Sequence, residues 1–323
     1  MKILFATDGS DSALAALEFL LRFPVPEGSE LLITMVIEQA AFSERLRQRI
    51  AGVVAEDRPD PVRAAEPDSA HAEGDKPPAL SEAQVRLCQD ARDHLQRVVA
   101  RLRAADWSTA TEVREGQPVD QICQAAEALA ADLILVGTRG LGGLSGYLLG
   151  SVSAGVLQNA PCSVLLVPPP DLTNHPLPDA AAPLRFLLAH DGSRSAEKAV
   201  ELCARLPLKG RATVTLLRVM ELVTLYRQDL SQRLSPAFQE EERTAKQALG
   251  AAAERLRSLT PEVQTKLLQS DDPAQSILAT AAEEHSDLIL LGHKGRSAVE
   301  RLLLGSVVGR IAARAECALL VVR

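Results

Sequence analysis

Two stretches of this chain place glycine and serine where they could grip a phosphate. VGTRGLGGLSGYLLGS runs from Val136 to Ser151, and LGHKGRSAVERLLLGS runs from Leu291 to Ser306. Gly137, Gly140, Gly150 and Ser151 recur as Gly292, Gly295, Gly305 and Ser306, so the shared skeleton is G-x2-G-x9-G-S. Gly142, Gly143 and Gly146 do not recur. The third glycine opens a segment of helical character, Gly150, Ser151, Val152 and Ser153 in the first copy. A helix N-terminus carries unpaired N–H groups and a partial positive charge, and both attract phosphate. Glycine there has no Cβ to block close approach. The Ser151 hydroxyl caps the helix or donates to a phosphate oxygen. Gly137 and Gly140 let the backbone fold tightly under a ligand. Asp8, at the end of the first apolar run, is placed to accept from a ribose hydroxyl or an adenine amine. Plainer readings stand beside these. Glycines after a strand form turns, Ser151 serves only as an N-cap, and Asp8 only as an Asx-turn residue.

The elements that must hold these residues come in two copies. ILFATDGSDSALAALEFL matches FLLAHDGSRSAEKAVELC, and ITMVIE matches LLRVME, which pairs Asp8 with Asp191 and Val36 with Val219 at a spacing of 183. Pro118 pairs with Pro273, and ADLILVG with SDLILLG, at a spacing of 155. The first copy therefore holds about 28 additional residues between Glu38 and Pro118. The segment 56–81, EDRPDPVRAAEPDSAHAEGDKPPALS, has the composition of a chain that cannot bury enough surface to order itself, and it reads as a mobile insertion. A stretch with six prolines begins at Pro168 and reads as a semi-stiff spacer. The expected organisation is a first domain over 1–168, a linker over 169–183 and a second domain over 184–323.

Within each copy, short apolar runs alternate with amphipathic segments. MKILFAT, ELLITMVIE, TATEVRE, DLILVG and CSVLLVP read as strands; SALAALEFLLRF, PVDQICQAAEALAA and GSVSAGVLQNA read as helices. That alternation implies a parallel sheet covered on both faces. Ligands of such sheets bind beyond the carboxyl ends of the strands, where the strand order reverses. With order 3-2-1-4-5, the loop after strand one (Asp8 to Ser12) and the loop after strand four (Gly137 to Ser151) become neighbours there.

Bulk properties remove several function classes. A net charge of −7 and an aromatic content of 3% argue against nucleic-acid binding. No apolar run reaches transmembrane length. In MKILFATDGS, Asp8 interrupts the apolar start and no small-residue cleavage pattern follows, so a cytoplasmic location is expected. Five scattered cysteines form no C-x-x-C, and the six histidines show no ligand spacing, so no metal site is read from side chains. Cys162 and Cys317, at matching places before two apolar runs, read as small buried hydrophobes. No Walker loop and no catalytic triad is present.

Both halves resemble universal stress protein domains, and the chain is similar to tandem two-domain members of the ATP-binding subgroup. The likeness rests on ILFATDGSDSA, ADLILVGTRG, GSVSAGVLQNAPCSVLLVP and the subgroup's mark G-x2-G-x9-G-S/T, which both halves satisfy. It implies two flavodoxin-like (adenine nucleotide alpha hydrolase-like) domains, each a doubly wound five-stranded parallel sheet. It further implies ATP, with Mg, held at the switch point of each repeat of a stress-response regulatory protein. Asp8 and Val36 would hold the adenosine, Gly137 and Gly140 would line the ribose and phosphate path, and Gly150, Ser151, Val152 and Ser153 would hold the phosphates. The second site would use Asp191, Val219, Gly292, Gly295, Gly305 and Ser306. Val308 replaces Ser153 there, which removes a hydroxyl from the expected phosphate contacts. Arg139 and Lys294 lie between the paired glycines, against phosphate or in solvent.

Two rival functions follow from the residues. One is a scaffold whose nucleotide sites are vestigial. The other is an ATP-using enzyme, because TDGSDSA resembles the S-G-G-x-D-S loop of ATP pyrophosphatases. Asp8 stands where that loop has Gly, and Arg194 replaces Asp11 in the second copy. No dedicated catalysis beyond slow ATP hydrolysis is expected. The closing strands CSVLLVP and CALLVVR are apolar edges that call for a partner. The expected arrangements are an intramolecular pseudo-dimer of the two domains and a homodimer.

Overall fold

The computed structural model describes residues 1–37, 95–96, 98–100, 107–139, 149–169, 182–221, 228–260, 262–295 and 305–323. The expected insertion at 56–81, most of the linker over 169–183, and Gly140 lie outside the described residues. The first half runs β1 (Lys2–Ala6), α1 (Asp11–Arg22), β2 (Glu30–Ile37), β3 (Ser108–Glu115), α2 (Pro118–Leu129), β4 (Leu133–Gly137), α3 (Ser151–Asn159) and β5 (Ser163–Val167). The second runs β6 (Leu184–Ala189), α4 (Arg194–Ala204), β7 (Ala212–Glu221), α5 (Gln228–Arg257), β8 (Val263–Ser270), α6 (Pro273–Glu283), β9 (Leu288–Gly292), α7 (Ser306–Ala312) and β10 (Ala318–Val322).

The strands of each half are parallel in the order 3-2-1-4-5. The physical cause is visible in β4, where Leu133 and Leu135 enter the core on one face and Ile134 and Val136 enter the core on the other. A strand apolar on both faces must be covered on both, and the right-handed crossovers that join parallel strands supply the covering helices. The α1 and α4 side holds Leu17, Leu20, Phe23 and Phe186; the other side holds Ile122, Val156, Ile277 and Ile311. Leu95 and Val98 are helical and belong to the first of these cores.

β5 and β10 hydrogen-bond to each other antiparallel, with Leu165 opposite Leu320, so the ten strands among the described residues form a single sheet. Both last strands thereby become interior, and the edges fall to β3 and β8. Those two strands are the polar ones, STATEVRE and VQTKLLQS, as exposed edges require. Just past β10, the Arg323 guanidinium crosses the seam and donates from Nη2 to the carbonyls of Leu157 (2.7 Å) and Gln158 (2.8 Å) at the end of α3. A cation there meets both unpaired carbonyls and the negative end of the helix dipole. Charge-assisted bonds of this kind contribute about 1.5–3 kcal/mol. We expect Arg323→Met, which keeps the stem and loses the donors, to destabilise the chain by roughly that amount in urea unfolding, with the midpoint falling and the denaturant slope unchanged.

Candidate functional site

The switch point is assembled by short side chains of the loop after β1. Gly9 adopts a φ of 80°, open to glycine at no steric cost, and lets the chain reverse direction after Asp8. The Asp8 carboxylate accepts the Ser10 N–H at 3.0 Å. Ser10 caps α1 by accepting from Ala13 N–H (3.2 Å) and donates its hydroxyl to the Arg139 carbonyl (3.2 Å) in the loop after β4. The second half repeats this. Asp191 accepts from Ser193 N–H (2.9 Å), and Ser193 caps Ala196 (3.1 Å) and donates to the Lys294 carbonyl (3.2 Å). The two loops expected to be neighbours are therefore hydrogen-bonded to each other. Ser10 and Ser193 make that tie, and reading by chemistry alone passed over them; their signal was the recurrence of Asp-Gly-Ser in both copies.

The first glycine of the skeleton is required by packing. A Cβ on Gly137 would stand 2.6 Å from Ser12 Oγ, 2.7 Å from the Ser12 carbonyl carbon and 2.9 Å from Ala13 N. On Gly292 it would stand 2.4 Å from the carbonyl carbon of Ser195. Strand β4 thus ends against the first turn of α1, and β9 against that of α4, with no room for a side chain between. Ser12, buried there, accepts the Arg139 N–H and donates to the Val167 carbonyl, both at 3.2 Å, tying β5 into the same junction. A Cβ on Gly295 would lie 3.0 Å from Asp191 Oδ2, so this glycine backs directly onto the candidate adenosine-binding carboxylate.

The third glycine is the N-cap of its helix. Gly150 donates its own N–H to the Thr138 carbonyl (2.8 Å), and Gly305 to the His293 carbonyl (3.1 Å), which closes the loop that each skeleton spans. The expectation that Ser151 caps the helix is corrected: Gly150 holds the cap position, and Ser151 is the first helical residue with its side chain exposed. Ser10, Ser193 and Asp272 cap α1, α4 and α6 with their side chains, whereas α3 has no side-chain cap and no acidic residue in its first turn. The first main-chain bond of α3 is Ala154 N–H to the Gly150 carbonyl at 2.9 Å. The N–H groups of Ser151, Val152 and Ser153 precede it and have no acceptor among the described residues.

Ser153 calls for a second correction. Its side chain is buried and donates to the Gly137 carbonyl at 2.6 Å, so the hydroxyl serves the β4–α3 junction. Val308, equally buried, exchanges that bond for apolar packing. The replacement therefore takes no phosphate-facing hydroxyl from the second half. Val36 and Val219 lie half-buried at the ends of β2 and β7, on the sheet face that carries Ala6 and Val136 in one half and Ala189 and Leu291 in the other. Arg139 and Lys294 are half-buried and have no ion pair among the described residues.

The model of the universal stress protein family matches residues 1–168 and 184–323. The chain belongs to this family. A universal stress protein of Methanocaldococcus jannaschii is 30% identical over 171 residues, which span 52% of this chain and 82% of the relative. One from Mycolicibacterium smegmatis is 28% identical over 245 residues, 75% of this chain and 79% of its own. The crystal structure of a universal stress protein from Archaeoglobus fulgidus covers 100% of this chain and 98% of that one, with a TM-score of 0.64 at 21% identity, a likeness of fold.

In this universal stress protein the two switch points differ in their polar side chains. His293 stands where the first half has Thr138, with Nδ1 2.9 Å from Ser195 Oγ and 3.2 Å from the Val322 carbonyl. His190 replaces Thr7, is fully buried, and meets Glu197 at 2.8 Å, while Arg255 holds the other Glu197 oxygen at 2.9 Å. Burial raises the Glu197 carboxyl, but its bonds to His190 and Arg255 outweigh this and hold it below the usual value. Arg218 replaces Met35 and lies buried over Gly192. Comparison of the copies at their fixed spacings shows all three replacements, and their burial is what the sequence hides.

Three outcomes follow. Gly137→Ala must move backbone in α1, and we expect a loss of roughly 1–3 kcal/mol or more in urea unfolding. Gly250→Ala, at an open helical position, should gain about 0.5–1 kcal/mol. Burial, with the charge of Arg323, lowers the His293 pKa from its ordinary 6.5. As pH falls below that value the unfolded chain takes up the proton first, so stability contributed by His293 is present above about 6.5 and declines below it. His293→Thr should flatten this part of the stability–pH curve; an unchanged slope would assign it elsewhere.

Proposed function

We propose that this chain is an ATP-binding regulatory protein of stress adaptation, with one nucleotide held at the switch point of each half. The observation that supports the reading best is the open N-terminus of α3, set beside the Asp8 loop by the Ser10–Arg139 bond. Three N–H groups without an acceptor among the described residues, the exposed Ser151 hydroxyl and a helix dipole fit a polyphosphate. In this reading the N–H groups of Ser151, Val152 and Ser153 bind phosphate oxygens, Asp8 and Val36 hold the adenosine, and Gly137 and Gly140 shape the path between. Asp191, Val219, Gly292, Gly295, Gly305 and Ser306 do the same in the second half. No cluster of three acidic, His or Cys side chains suited to a metal occurs among the described residues, so Mg would be carried by phosphate oxygens and water. The two halves act as domains 1–168 and 184–323. The β5–β10 pairing supports an intramolecular pseudo-dimer, and it leaves any homodimer to surfaces other than the last strands.

A pyrophosphatase-like enzyme is disfavoured by one contact, since Asp8 already takes the Ser10 N–H that such a loop would offer to pyrophosphate. A scaffold reading gains some support in the second half, where α7 has only seven residues.

The test is nucleotide content. Gently purified full chain is denatured, and released nucleotide is counted by chromatography beside a Gly150→Val, Ser151→Ala variant whose folding is checked by melting. We expect close to two ATP per chain, falling to one in the variant. No nucleotide on purification, followed by no binding on titration with ATP and Mg, would sink the proposal in favour of the scaffold.

A further inference from the structure

The two halves are related by a near two-fold axis at the Leu165–Leu320 pair, and the matching grooves beside it differ in content. Continuing the β5–β10 register places Arg323 opposite Cys162 and Pro168 opposite Cys317. In the first half the Arg323 guanidinium occupies the groove between α2 and the end of α3, beside Cys123 and Cys162. Pro168 has no side chain that could do the same in the second half. There, between α6 and the turn from α7 to β10, lies a cavity of about 440 Å³. Pockets for small organic ligands run from about 300 to 1,000 Å³.

The wall has changed along with the content. Around Cys123 stand the carboxylates of Glu127 and Asp120 and the guanidinium of Arg323, an acidic setting that suits a cation. At the fixed spacing of 155, Glu127 becomes Ala282 and Asp120 becomes Gln275, while Asn159 becomes Arg314 and Ala131 becomes Ser286. Two acids have left the wall, and a guanidinium and a hydroxyl have entered it. Arg314 makes no ion pair among the described residues. Ser286 is 3% exposed, and its hydroxyl has no hydrogen-bond partner among the described residues. These two residues belong to the turns before β10 and β9, which pair in parallel with Ala318 opposite Leu288. The remaining acids nearby are engaged. Asp287 accepts the Arg185 N–H at 2.7 Å and faces its Nε at 3.8 Å. Glu316, exposed on the rim where the first half has Pro161, already has a partner. Leu278, Ala281 and Ile289 supply apolar wall, joined by Cys317, whose thiol is pushed up to about 12 chiefly by burial and stays neutral.

We propose that this cavity binds a small aliphatic carboxylate, with its oxygens on the Arg314 guanidinium and the Ser286 hydroxyl and its chain against Leu278, Ala281 and Ile289. A guanidinium and a hydroxyl are donors of the kind a carboxylate takes, and the apolar wall selects the body behind it. The site lies at the amino ends of β9 and β10, at the opposite end of the second half's strands from its candidate nucleotide site, and it does not depend on nucleotide binding.

The full chain is titrated with acetate, butanoate and hexanoate, and with hexanol and hexylammonium, while backbone amide NMR follows α6 and the α7–β10 segment. We expect saturable shifts confined to that region, about two- to fourfold tighter for each added methylene. Hexanoate should bind roughly tenfold or more ahead of hexanol and of hexylammonium. Arg314→Gln should remove the preference for hexanoate over hexanol, Ser286→Ala should weaken hexanoate several-fold, and Glu316→Gln should tighten it. Ala282→Glu, which restores the acid of the first half, and Leu278→Trp, which fills the cavity, should each weaken hexanoate roughly tenfold. Melting curves establish that the variants fold. Absence of saturable shifts, hexylammonium binding as tightly as hexanoate, an unchanged preference in Arg314→Gln, or equal binding to Leu278→Trp would each overturn the assignment.

Discussion

Everything at the switch point hangs on one close approach. The carboxyl end of β4 touches the first turn of α1 with only the hydrogen of Gly137 between them. Because that gap is closed, Ser12 reaches both the Arg139 N–H and the Val167 carbonyl, and Ser10 reaches the Arg139 carbonyl. Four segments from distant parts of the chain are thereby fixed at one point: the β1 loop, the β4 loop, the end of β5 and, through the Ser153–Gly137 bond, the start of α3. The second half reaches the same end with Gly292 against Ser195. Dense packing makes such a junction intolerant of even one methyl group.

The seam between β5 and β10 is the second organising contact, and it makes the halves unequal. Near two-fold symmetry would give matching environments on both sides, yet Arg323 and Pro168 occupy equivalent places with opposite capabilities. The first half gains a guanidinium clamp at the end of α3; the second keeps a cavity. At the carboxyl ends the imbalance takes another form, with Thr7, Met35 and Thr138 on one side and His190, Arg218 and His293 on the other. The duplication has preserved the glycine skeleton while the side chains around it have diverged.

Much of the fold was legible. Runs such as DLILVG and CSVLLVP, apolar on both faces, leave a chain little choice but a covered parallel sheet, and the recurrence of Asp-Gly-Ser and G-x2-G-x9-G-S fixed where the loops must lie. The site was legible in composition but less so in role. Ser151 and Ser153 look interchangeable as hydroxyls in GSVS. Helical geometry turns them about 200° apart, so one is exposed and the other points at the Gly137 carbonyl. Gly150, which has no side chain to bond with, takes the cap through its backbone alone.

The sequence by itself determined the duplication, the alternation of strands and helices, the two candidate loops and their likeness to a family, because each depends on local pattern or on comparing one half with the other. Only the tertiary structure decided which glycine answers to packing, which serine faces inward, and what lies across the seam from Cys162 and Cys317. Those outcomes depend on contacts between residues apart in the chain, 16 positions for Ser153 and Gly137 and more than a hundred for Ser12 and Arg139 or Leu157 and Arg323. Residue type says what a group can bond to; the packing of the sheet and its helices decides what is within reach.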